Sequence, residues 1–157
     1  MQVADPVTLY NRPENTFVAG FIGMPEMNLI DGKLLKNGSL SILLAGQTLS
    51  FGEELGKRLV APDGSLVTVG IRPQHFSIAA KADTNALAGR VSHIEFMGHE
   101  VYLHVDLGEV RVVVVVPSDR YNPADISDSH VKLKPREAEV HVFDRETGKN
   151  VSLPANV

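Results

Sequence analysis

The chain has 157 residues, 43% of them hydrophobic and 22% charged, ordinary proportions for one soluble globular domain or a domain with a short appendage, and too apolar for disorder. Net charge is −4 with acidic and basic residues mixed throughout, aromatic residues make up 6%, and cysteine is absent. This argues against nucleic acid as a partner, against disulfides and thiol chemistry, and against a thiolate metal site.

Asp5 can cap a short helix with Pro6 at its first position, and Pro13 interrupts it. A second short helix from Glu14 or Asn15 would carry Phe17, Val18, Phe21 and Ile22 on one apolar face before Gly23 and Pro25 stop it. So short an apolar face must pack on its own domain or on a neighbour. From Met27 the signals are those of strands: Met27 to Leu35, Ser39 to Leu44 and Leu66 to Ile71, with turns expected at Asp31-Gly32, Asn37-Gly38 and Pro62-Asp63-Gly64. Glu53 to Leu59 reads as a helical turn.

Leu87 to Met97, Val101 to Leu107 and Val110 to Val116 read as successive hairpins divided by Gly98-His99 and Gly108-Glu109. In the middle run Val101, Leu103, Val105 and Leu107 share one face, and Tyr102, His104 and Asp106 the other. The unbroken valines of Val112 to Val116 must be buried on both faces or covered by a partner, because exposed they would invite aggregation. Residues 118–128 read as a loop. Val131 to Leu133 and Glu139 to Phe143 form a last pair of strands, and Asp144 to Lys149 turns back into Val151 to Leu153. Many short strands and almost no helix after residue 22 point to a mainly β fold, a compact barrel of the OB type with short N-terminal helices.

Motifs for chemistry fail on spacing. His99-Glu100 followed by His104 resembles a zinc-protease motif, but the histidines are five apart rather than four, and on a strand they point to opposite faces. His93 and Glu95 share a strand face, as a surface His–Glu pair would. Gly52-Glu53-Glu54-Leu55-Gly56-Lys57-Arg58 is one residue short of a phosphate-cradling P-loop, and Arg58 stands where a hydroxyl should reach magnesium. Leu43-Leu44-Ala45-Gly46-Gln47 lacks the serine and first glycine of an ABC signature. His104 interrupts the apolar run that a Walker B strand would need. No catalytic, cofactor or metal residue is therefore expected.

Three segments resemble one family. Gln2-Val3 through Pro6, Leu9-Tyr10, Arg12-Pro13, Asn15, Phe17-Val18-Ala19-Gly20-Phe21-Ile22-Gly23, Pro25 and Met27-Asn28 look like the junction where the nucleotide-binding domain ends in the ATPase subunits of bacterial sugar importers of the ABC class. Gly70-Ile71-Arg72-Pro73-Gln74-His75 resembles the G-I-R-P-E-H motif of the following TOBE-type domain. Gly89-Arg90-Val91 with Glu95, Gly98, Glu100 and Tyr102, and later His141, Phe143-Asp144 and Thr147-Gly148, is similar to its closing strands. Two departures stand out: Ala4-Asp5 replaces Gly-Thr or Gly-Lys, and Gln74 replaces Glu, so a hydrogen bond there would be neutral.

The resemblance implies a division into 1–22, a helical tail of a nucleotide-binding domain, and 23–157, an OB-like regulatory and homodimerising domain that does no chemistry alone. ATP and magnesium would belong to the absent domain. The implied partners are a second copy, that nucleotide-binding domain, membrane permease subunits reached through the parent protein and a cytoplasmic regulatory protein. The implied place is the inner face of the cell membrane. No apolar run approaches the roughly 18 residues of a membrane span, and the first residues do not read as a signal peptide. Family-motif and interface candidates are Phe17, Phe21, Ile22, Gly23, Asn28, Gly70, Arg72, Pro73 and His75. Pro73 should hold Arg72 extended, so that its planar fork reaches a carboxylate or carbonyl, either within the barrel or at an inter-subunit or inter-domain contact. The alternative is an OB-type module for an oxyanion or sugar, with Ser92, Arg111 and Lys132 able to reach an anion.

Overall fold

The computed structural model describes residues 5–21 and 25–153. Asp5 caps α1 (Pro6–Asn11) by accepting from the Thr8 N–H, with Pro6 at the first position. Asn15 Oδ1 accepts from the Val18 N–H at the start of α2 (Thr16–Phe21). Then come β1 (Asn28–Asn37), β2 (Ser39–Leu44), β3 (Gln47–Phe51), α3 (Glu53–Arg58), β4 (Leu66–Ile71) and β5 (Phe76–Ile78). β6 (Leu87–Phe96), β7 (Glu100–Leu107), β8 (Val110–Pro117), β9 (His130–Pro135) and β10 (His141–Asp144) complete the chain.

The strands form two five-stranded sheets of order β10-β4-β1-β2-β3 and β5-β9-β6-β7-β8, every pair antiparallel. Their inner faces meet in one core: Ile30, Leu34, Ile42, Leu44, Val69 and Ile71 from the first sheet, Leu87, Leu103, Val105, Leu107, Val114 and Leu133 from the second, with Leu55 of α3 between them. The mainly β, OB-type barrel with short N-terminal helices is what the alternation of apolar residues indicates.

Several expectations change. Asp31-Gly32 is no turn: β1 runs through it with Asp31 outward and Gly32 buried. A Cβ on Gly32 would lie 2.7 Å from the Leu43 carbonyl oxygen, so this glycine serves close strand approach. Val131 to Leu133 and Glu139 to Phe143 do not pair, since β9 lies in the second sheet and β10 in the first. Residues 151–153 form no strand. β3 escapes the sequence reading because its hairpin turns on Ala45-Gly46, with φ of 49° and 77°, rather than on the usual Asn-Gly. The valine run is buried by its own chain, with Val112 and Val114 in the core and Val115 covered on the other face, where the 3-10 turn Pro73–His75 packs against β8. It needs no second copy to cover it.

Three side-chain amides close the gap between the sheets, each making a two-point contact with one backbone residue. Asn28 Oδ1 accepts from Val113 N–H and its Nδ2 donates to Val113 C=O, both at 2.8 Å. Gln47 does the same with Ala88 at 2.8 and 2.9 Å, and Asn85 with Ser50 at 2.8 and 3.1 Å. Asn28 is buried, and its Nδ2 also donates to Ile71 C=O. Asn28→Ala should therefore cost about 2–3 kcal/mol by urea denaturation, because it strands buried backbone groups, whereas Gln47→Ala, at a half-buried residue, should cost about 1 kcal/mol or less.

Candidate functional site

The motif Gly70 to His75 lies where β4 ends beneath the N-terminal helices. Ile71 closes the strand, Arg72 is extended (φ −63°, ψ 145°), and Pro73 opens the 3-10 turn. The Arg72 side chain is buried, 1% exposed, and runs outward under the helices. Its Nη1 donates to the Ala19 carbonyl and its Nη2 to the Tyr10 carbonyl, both at 3.2 Å, and the guanidinium lies 4.2 Å from the centre of the Tyr10 ring. Of the two expected targets it thus takes carbonyls, binding α1 and α2 to the barrel. Burial lowers its pKa from the ordinary arginine value. Gln74 Nε2 donates to the Tyr10 hydroxyl, a neutral bond in place of the charged one that Glu would make.

Gly70 is required by what lies over it. A Cβ there would come within 2.5 Å of Met27 Sδ and 2.8 Å of the Phe143 ring. Those two side chains with Ala19 form a separate apolar cluster on the outer face of the first sheet. The helical face turned to the barrel is therefore Val18 and Ala19, both buried, while Phe17 is 70% exposed. The face expected to unite Phe17 with Val18 splits, because α2 is only six residues long and docks along one side. Ile22 and Gly23 lie outside the described residues, as does the side chain of Phe21.

Further bonds fix the helices from the chain's other end. Asn150 Nδ2 donates to Pro13 C=O at 2.7 Å, Asn150 N–H to Glu14 C=O at 2.8 Å, and Thr16 N–H to Gly148 C=O at 3.0 Å. Asn150 also stands 3.3 Å from Nδ1 of His141, which is 8% exposed. Burial first, then the charges of Arg58 and Arg72, push the His141 pKa down to about 4. His75 is half-buried and shifted the same way by burial.

The segment that falls short of a P-loop is α3 and its cap. Glu137 accepts from the Gly52 N–H at 2.8 Å and the Leu55 N–H at 3.0 Å, occupying donors that a phosphate would need. Arg58 spans the carbonyls of Glu137, Val140 and Ser152. The anion trio is not assembled: Ser92 Oγ donates to His104 C=O, Arg111 forks onto Asp106, Lys132 Nζ reaches Asp83 C=O, and β6 and β7 separate Lys132 from Arg111. Glu95 pairs with His104 at 2.6 Å rather than with His93. A register shift between Val91 and His93 re-aims that end of β6, which strand parity could not foresee. Among the described residues no group of three or more His, Asp or Glu is placed to hold a metal ion, and no helix is long and apolar enough to cross a membrane.

The model of the MalK OB fold domain matches residues 23–76, and that of the TOBE domain matches 69–143. Residues 69–143 therefore belong to the TOBE-domain family. The TOBE motif Gly70 to His75 sits where the two matches overlap, and it is the segment that grips α1 and α2. The chain is 33% identical over 150 residues to the sn-glycerol-3-phosphate import ATP-binding protein UgpC of Salmonella choleraesuis (strain SC-B67), covering 96% of this chain and 40% of that protein. It is 32% identical, with the same coverage, to the sulfoquinovosyl glycerol transport ATP-binding protein SmoE of Agrobacterium fabrum (strain C58 / ATCC 33970). Against the diacetylchitobiose uptake system ATP-binding protein MsiK of Streptomyces coelicolor (strain ATCC BAA-471 / A3(2) / M145) it is 34% identical, covering 96% of this chain and 43% of that one. The chain thus spans about two-fifths of the length of these relatives. In fold it is similar to the cytoplasmic molybdate-binding protein ModG, with a TM-score of 0.55 and 16% identity over 73% of this chain and 94% of that one.

Two outcomes follow. Arg72→Leu leaves the Ala19 and Tyr10 carbonyls without their donor and should cost about 2–4 kcal/mol, with hydrogen exchange accelerating in residues 5–21 before the barrel strands. For His141 the folded pKa of about 4 lies below the ordinary 6.5, so the unfolded chain takes up the proton first. Its contribution is present above pH 6.5 and lost as pH falls toward 4, on the order of 3 kcal/mol in all. Denaturant melts across that range should show the loss, and His141→Asn should flatten the slope, leaving the smaller part due to His75.

Proposed function

We propose that this chain is the regulatory and homodimerising domain of the ATP-binding subunit of an ABC importer for sugars or glycerol-3-phosphate-like solutes, and that it is non-catalytic by itself. The observation that carries this is an asymmetry of coverage: the relatives named above, all ATP-binding proteins of solute uptake, account for 96% of this chain, while it accounts for only 40% of UgpC. The missing length is room for a nucleotide-binding domain holding ATP and magnesium. The failed P-loop and its Glu137 cap support leaving ATP chemistry to that domain.

In this reading residues 1–22 lead out of the nucleotide-binding domain and 23–157 form the barrel. The rivets at Arg72 and Asn150 make the barrel follow the helices rigidly, so that a regulator or a second copy bound to the barrel bears on the ATPase without a loose joint between them. The remaining partners are the permease subunits, met through the parent protein, and the location is the cytoplasmic face of the membrane. An oxyanion- or sugar-binding module is the second reading. The observation on its side is a cavity of about 330 Å³ between β5 and β8, the two edge strands of the second sheet. Its lining holds Arg120 and Arg136 together with Glu100 and Asp125, a mixed set that suits the hydroxyls of a sugar better than an oxyanion.

Sedimentation of the isolated chain from micromolar to millimolar concentration should give a monomer–dimer equilibrium, and a strict monomer throughout would count against dimerisation by this domain alone. Titration calorimetry should give no heat with Mg-ATP. Saturable heat with molybdate, sulfate or a sugar would favour the second reading.

A further inference from the structure

On the outer face of the second sheet, His93 of β6 and His104 of β7 are direct cross-strand partners, with ring centroids 5.4 Å apart and ring planes at 41°. Glu95 Oε1 lies 2.6 Å from His104 Nε2. A carboxylate accepts hydrogen bonds, so the proton of this contact sits on His104 Nε2, and in the neutral tautomer that this leaves, Nδ1 is the nitrogen with the lone pair. A carboxylate holding one ring nitrogen while the other is left basic is the arrangement that orients metal-binding histidines.

We propose that His93 and His104 form a two-imidazole site for a late first-row divalent cation such as Zn²⁺ or Ni²⁺, with Glu95 as the positioning residue. With metal–nitrogen bonds of about 2.05 Å and each ring centre about 1.1 Å behind its nitrogen, two imidazoles on one tetrahedral ion have centroids about 5 Å apart. The observed separation of 5.4 Å is close to that value. Imidazole nitrogens suit zinc, nickel and copper and do not suit magnesium or calcium. Both histidines lie toward solvent, His93 exposed and His104 half-buried, so water can complete the coordination. The pair stands on paired strands rather than a loop, which keeps the rings near this separation in the apo chain. Other histidines are less suited: His99 lies in the hairpin turn, and His141 is buried.

Titration calorimetry of the full chain with zinc chloride and with nickel chloride should give one saturable site each, and magnesium chloride none. His93→Asn and His104→Asn should each weaken binding at least tenfold. Glu95→Gln, which keeps both ligands, should weaken it about ten- to hundredfold, while His99→Asn and His130→Asn should match the parent. Thermal melts verify that each variant is folded. Absence of saturable zinc binding up to millimolar metal, or undiminished binding by His93→Asn, would overturn the proposal.

Discussion

The barrel depends on backbone groups at strand edges finding partners where no strand is available. A side-chain amide has the same donor and acceptor pair as a peptide unit, and Asn28, Gln47 and Asn85 each present it to a single residue of the opposite sheet. The contact is a fragment of antiparallel ladder made without a strand. It matters most on β8, whose valine run borders the edge of its sheet and would otherwise present apolar side chains beside unpaired N–H and C=O groups. Asn28 takes both groups of Val113, and the turn at Pro73 covers the rest of that flank.

The same amide reaches further. Its second bond from Nδ2 goes to the Ile71 carbonyl, immediately before Arg72. The end of β4 is thereby fixed at the point where the arginine departs for the helices, and Arg72 carries the connection on to Ala19 and Tyr10. A buried guanidinium is costly unless its donors are used and its charge is spread. Here the planar fork splits between two helices, and the Tyr10 ring takes one face. A lysine would place one point charge there and could not address both carbonyls along fixed directions. Among the described residues the apolar contact of the helices centres on Val18, Ala19, Met27 and Phe143, and the directed bonds of Arg72 add to it.

Strands with clean alternation, such as Val101 to Leu107, were legible because one face of each is core and the other solvent. The caps at Asp5 and Asn15 were legible for the same local reason. What local reading missed depends on distant neighbours. Gly32 looks like a turn residue until Leu43 is brought against it, and Ala45-Gly46 lacks the usual hairpin composition. The bulge before His93 moves Glu95 to His104. In the motif Gly70 to His75, the extended arginine followed from Pro73, but nothing in spacing could say that Gly70 lies beneath Met27 and Phe143. Gln47, Asn85 and Asn150 passed as ordinary polar residues, since each works through a partner dozens of positions away or through a backbone carbonyl.

The polar chemistry around α3 goes into Glu137 and Arg58 holding the connection between β9 and β10, and at the surface Asp106 holds Arg111. What remains for interaction is surface carried on a stiff frame. A frame riveted to its leading helices through Arg72, Asn150 and Gly148 transmits displacement, since moving the barrel requires moving Tyr10, Pro13 and Ala19 with it. Under the proposed function, influence over an upstream ATPase would need no ligand chemistry inside the barrel; it would need only that whatever grips the barrel's outside constrains its position.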